Sequence, residues 1–121
     1  MPVPLTHAFV IAEGSRLVFI SGLTAKDGEG KTVAPGDAGA QADHILGAID
    51  DILRAAGGSI DDVIKVTVYV ADRALAPAVG AARARYFADS PLPASTMIQA
   101  TLMSEDQLVE IEAIAAIPAA S

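Results

Sequence analysis

Cysteine is absent from all 121 residues, which excludes disulfides, thiolate metal sites and a cysteine nucleophile. Tryptophan is absent too, and aromatics reach only 4%. A core must therefore come from Ala, Val, Ile and Leu, packed through many small contacts. Basic residues are scarce: Lys and Arg total 8 against 15 acidic residues, for a net charge of −7. Phosphate contacts supply most nucleic-acid affinity, and no basic run is present to make them. No apolar run approaches the roughly 18 residues of a membrane span, and no basic segment precedes an apolar one near the start. The expectation is a cytoplasmic protein without nucleic-acid or membrane partners. Two histidines with no plausible third ligand make a metal site unexpected. Nothing in the sequence calls for a cofactor.

What is present suffices for one domain spanning 1–121, since hydrophobic residues make up 52% and charged ones 19%. A domain of this size buries only about two-thirds of its unfolded surface, so further burial by self-association is a natural outcome.

His7–Ile11 and Arg16–Ser21 read as short strands around the turn Glu13-Gly14-Ser15. Leu17-Val18-Phe19-Ile20 is apolar without alternation, as in a strand covered on both faces. Lys26–Gly36 reads as a loop. The spacing of Ile45, Ile49, Ile52 and Ala56, widened by Leu46 and Leu53, predicts a helix over 38–56, stopped by Gly57-Gly58. Asp50-Asp51 reads as its wet face. A strand follows over 61–70, with Ile64, Val66, Val68 and Val70 opposite Lys65, Thr67 and Tyr69. A second helix is expected over 74–88, with Pro77 in its first turn, then strands over 96–102 and 108–117. The order ββαβαββ describes an α+β fold: a single mixed sheet with two helices on one face. The other face would still show Tyr69, Met97, Leu108 and Ile114, and a second copy would cover it.

The last strand is the most informative. Side chains alternate along a strand, so Glu110 and Glu112 share a face while Val109, Ile111, Ala113 and Ala115 share the other. Two carboxylates opposite an apolar face must lie in water or in a cleft.

Taken together, these segments resemble the RidA/YjgF family of enamine and imine deaminases. The resemblance rests on Pro4-Leu5-Thr6-His7-Ala8, Phe19-Ile20-Ser21-Gly22, Gln41 and Ala55-Ala56-Gly57-Gly58-Ser59. It continues through Asp62–Val70, Tyr86-Phe87, Pro93-Ala94-Ser95-Thr96 and Val109–Ala115. It implies a homotrimer whose sheets form a central barrel, with small-molecule clefts between subunits. Some relatives carry a ribonuclease label, which the acidic charge argues against here.

The resemblance also implies changes in the site. Ala94 stands where deaminating members hold the substrate carboxylate with an arginine. Leu5 replaces a tyrosine, Gly80 an asparagine and Leu23 a glutamine. An acyclic 2-imino acid is then an expected poor substrate unless another cation, Arg83 or Arg16, reaches the cleft. A RidA-like hydrolase or deaminase acting on a small imine, enamine or ring compound is the expected function. The alternative is a non-catalytic trimer that binds a ligand or a partner.

Glu110 is the candidate catalytic residue, a general base that activates or orients water. Leu5, His7, Gly22, Leu23, Gly80, Ala94, Ser95, Thr96 and Met97 are the candidate substrate-binding positions. Gly22 and the Ser95–Met97 backbone would offer amides to a developing negative charge. His7 has the chemistry of an acid or base near neutral pH, although surface histidines are commoner. No cue ties a histidine to Ser95, so a Ser-His-Asp triad lacks support. Glu112 reads as a solvated or interface carboxylate, Lys65 and Arg85 as solvated or paired charges, and His44 as structural.

Overall fold

The computed structural model describes residues 7–88 and 92–119. Their elements run β1 (Arg16–Leu23), α1 (Ala38–Ala55), β2 (Val63–Val70), α2 (Ala76–Tyr86), β3 (Ala94–Gln99) and β4 (Val109–Ile117). Single 3₁₀ turns at Ile60–Asp62 and Arg73–Leu75 lead into β2 and α2. The four strands form one mixed sheet in the order β1-β4-β2-β3. Strand β4 is antiparallel to both neighbours, and β2 and β3 are parallel, joined by the α2 crossover.

Helix α1 begins where Asp37 accepts a hydrogen bond from the Ala40 amide at 3.0 Å, and ends where Gly57 adopts φ +92°. Its inward stripe is Ala42, Ile45, Leu46, Ile49 and Leu53, all fully buried. Those side chains meet Val66, Val68 and Val70 of β2 and Ile111, Ala113 and Ala115 of β4 in one core. Full burial of each Leu or Ile contributes roughly 1.5–3 kcal/mol, so this contact dominates the fold. Val79, Ala82 and Phe87 bring in the second helix.

Several sequence expectations shift. His7–Ile11 forms no strand, and Val10 is 99% exposed, so the described order is βαβαββ rather than ββαβαββ. Helix α2 starts two residues late, because Asp72 caps the Arg73–Leu75 turn through the Ala74 amide. Ile52 falls off the buried stripe, and Val63 replaces Ile64 inside because β2 bulges between Val63 and Lys65. The β1 apolar run is covered on one face only: Leu17 and Phe19 are 48% and 71% exposed. Asp50 is no wet-face residue, since it accepts hydrogen bonds from Arg54 Nε (2.8 Å) and the Ile60 amide (2.7 Å).

The two helices thus leave one sheet face uncovered. It carries Glu110, Glu112, Tyr69, Thr67 and Thr96 beside the apolar Phe19, Ile98 and Ile114.

Candidate functional site

Two groups of candidate residues form, at opposite ends of the sheet. The first lies where β1 meets β4. Ile20 pairs with Ala113 but Leu23 pairs with Ile111, so a bulge inserts one extra residue at Ser21-Gly22. The Glu110 side chain folds over that bulge. A Cβ at residue 22 would lie 3.0 Å from Glu110 Cδ and closer still to Oε2, so only glycine leaves the carboxylate its place. The space above the Gly22 backbone, expected to admit a ligand, is therefore taken by Glu110 itself. No described cation forms an ion pair with Glu110.

Glu112 turns to the other neighbour. The Tyr69 hydroxyl donates to its Oε1 at 2.5 Å. That hydrogen bond, then burial and the two nearby carboxylates, raises the Tyr69 pKa above the usual tyrosine value. Tyr69 stays protonated and aligned beside Glu110, with which it is in register.

The second group lies at the β3 edge. In the parallel register Ser95 sits beside Val66 and Met97 beside Val68, so both face the helices. Arg83 of α2 reaches Ser95, donating from Nη1 to Oγ at 2.5 Å. Burial lowers the Arg83 pKa from its ordinary value. A cavity of about 200 Å³ opens here, lined by Gly80, Arg83, Ala84 and Leu92. Ala94 and Thr96 face the other way. Ala94 is in register with Lys65, whose ammonium donates to Val66 O (2.9 Å), Thr67 Oγ1 (3.2 Å) and Thr96 Oγ1 (3.1 Å).

The remaining candidates fall away from both groups. Leu23 and Met97 pack against the core, His7 is exposed, and Leu5 lies outside the described residues. Arg16 donates to Ala56 O at 2.9 Å at the far end of β1. His44 holds Lys26 O at 2.9 Å, a structural contact as expected. Tyr69 was missed as a site residue because its partner across the sheet depends on register. Among the described residues no cluster of His, Asp and Glu could hold a metal, and no helix is long and apolar enough to cross a membrane.

Glu110 and Ala94 are separated by two strand spacings of ~4.8 Å and four residues of ~3.3 Å, on the order of 16 Å. One chain therefore does not bring the two groups to a common small ligand.

Comparison with known proteins agrees with this architecture. The profile of the family described as Endoribonuclease L-PSP matches residues 4–117. The 3-aminoacrylate deaminase RutC of Acinetobacter baylyi is 35% identical over 114 residues, covering 94% of this chain and 90% of RutC. A RutC family protein of Pyrococcus horikoshii matches with the same identity and coverage. Among solved structures, a conserved Rid-family protein of Yersinia pestis superposes with TM-score 0.84 at 28% identity, covering 94% of this chain and 87% of that one. A YjgF/YER057c/UK114 family member of Mycobacterium tuberculosis gives TM-score 0.70 at 31% identity, covering 84% and 79%.

Proposed function

The chain belongs to the RidA/YjgF family, and from that premise we propose that it hydrolyses a small imine or enamine in a cleft completed by a second copy of itself. The observation that carries this reading is the Glu110 carboxylate seated on the Gly22 bulge, on the sheet face that the helices leave open. A carboxylate held against backbone, with no described cation bound to it, is placed to accept a proton from water.

The chemistry follows from that one base. An enamine first tautomerises to the imine, carbon gaining a proton as nitrogen gives one up. Glu110 accepts a proton from water as the new C–O bond forms, and the C=N π pair moves to nitrogen. That proton passes to nitrogen to give the carbinolamine. Glu110 then takes the hydroxyl proton and delivers it to nitrogen, so the C–N bond breaks and ammonia leaves as C=O forms. Glu110 ends as it began. Strand β3 is a sheet edge, so alternate backbone amides of Ser95–Met97 lie outside the ladder and are available to the oxygen of the adduct.

The approximately 16 Å between the two groups supports assembly of the site from two chains. Exposed Leu17, Phe19 and Ile98 provide the apolar surface that such an assembly would bury. A closed homotrimer gives three equivalent clefts. A net charge of −7 argues against the ribonuclease activity in the family's description.

The test is Glu110→Gln, a near-isosteric change. Ammonia release should fall at least ~100-fold, the usual scale for losing a general base, while ligand affinity stays within a few-fold. Turnover equal to wild type would assign the proton transfer elsewhere.

A further inference from the structure

We propose that Arg83 is the anion-binding residue of this chain, receiving the carboxylate of a small substrate in the cavity it shares with Gly80, Ala84 and Leu92. The substrate class narrows accordingly to imines or enamines that carry a carboxylate, a step that rests on the hydrolytic reading above.

The basic residues separate on geometry. Arg54 is bound to Asp50 at 2.8 Å, Arg85 to Asp43 at 2.7 Å, and Lys31 lies 3.8 Å from Glu29. Lys65 spends its three donors on Val66, Thr67 and Thr96, and Arg16 is held at Ala56. Lys26 and Arg73 are exposed. Arg83 alone of these lines the cavity, half-buried, with one described hydrogen bond from its five N–H donors, to a neutral hydroxyl. No carboxylate among the described residues lies within ion-pair distance of it.

Among the described residues such a guanidinium has lost water without gaining a charge partner, and a bidentate carboxylate supplies one. The Ser95 hydroxyl fixes one side of the fork and leaves the rest to the ligand. At about 200 Å³ the cavity is smaller than the roughly 300–1,000 Å³ of sites for drug-sized ligands, so its occupant is a small metabolite. The space beside Gly80 is open, since a Cβ there would meet nothing within 4 Å. Ala94 points to the opposite sheet face, so this guanidinium makes an anion position of its own, on the side of the overlying helix.

The test measures binding without turnover. Pyruvate, a stable keto acid, is titrated calorimetrically into the full-length protein, with the uncharged pyruvamide as control. Wild type should bind pyruvate and prefer it to pyruvamide. Arg83→Met should weaken pyruvate binding at least ~10-fold and Arg83→Lys by less, while pyruvamide binding moves little by comparison. Gly80→Leu guards against misfolding of the first variant: it fills the cavity at a helical site with room for it, so pyruvate binding should fall without loss of Tm. No pyruvate binding by wild type at about 10 mM, or Arg83→Met within two-fold of wild type, would overturn the assignment. Binding through Arg83 with no ammonia release from any imine would instead sink the hydrolytic reading and leave the anion site standing.

Discussion

At the scale of single residues the site turns on what Gly22 lacks. Its backbone is not in the left-handed region, so alanine is tolerated there in conformation, but the new Cβ would collide with the Glu110 carboxyl. The colliding atoms are the tip of a flexible side chain, which swings away at little cost to the fold. Gly22→Ala should therefore lower ammonia release ~10-fold or more while Tm, read by calorimetry, moves only a few degrees. Tyr69 gives a second residue-level expectation. Glu112 is the first cause of its raised pKa, so Glu112→Gln should bring the phenol's titration down toward the usual value near 10. Phenolate absorbance in a Tyr86→Phe background would report it. Because the folded-state pKa is raised, this contact's contribution to stability is complete below the unfolded value and is lost as pH rises through the folded one. The two-residue period showed that Glu110 and Glu112 share a face. It did not show that they diverge, one to Gly22 and one to Tyr69, because the register that supplies their neighbours is not written in either strand.

Among the elements, two buried glutamines tie the loops to the sheet. Gln41 of α1 donates to Asp106 O (2.9 Å) and Ala34 O (3.3 Å) and accepts from the Leu108 amide (2.8 Å). Gln107 does the same for Ala25 and Thr32. Gln41→Leu keeps the volume but strands backbone groups in a dry place, at roughly 1–3 kcal/mol for each group left unpaired. A loss of at least about 2 kcal/mol in urea unfolding is expected. A loss under 0.5 kcal/mol, within the range of an ordinary surface change, would contradict this account of the loops. Gln41 was visible in the sequence only as part of a resemblance, since periodicity treats a polar residue on an apolar stripe as an interruption. Helix α1 and the last strand were legible, because burial on one side imposes a repeat on the residues. Helix α2 buries only Val79 and Ala82 of its own length and shows little of one. His7–Ile11 was misread for the complementary reason: apolar residues there suggest a strand, but without a ladder partner they leave Val10 in solvent.

For the whole molecule, the sequence showed that two helices cannot cover both faces of a sheet, and the structure locates the uncovered face. Phe19, 71% exposed, stands there directly opposite Ile114. Phe19→Glu places a charge in the proposed contact: wild type should sediment as the proposed trimer and the variant as a monomer, with loss of ammonia release. A trimer that survives the substitution would move the interface elsewhere. The separation of the two site groups could not be read from sequence, because Ala94 and Glu110 are near neighbours along the chain yet lie two strands apart in the sheet.

That separation gives the most direct test of the central claim, that each site takes one half from each of two copies. Glu110→Gln and Arg83→Met chains, each strongly impaired alone on a carboxylate-bearing imine held well below saturation, are mixed in equal amounts, dissociated and reassembled. Random assembly gives each cleft about a one-in-four chance of receiving both intact halves, so ammonia release should return to about a quarter of the wild-type rate. Activity that stays at the sum of the two parents would contradict the account and return the whole site to a single chain.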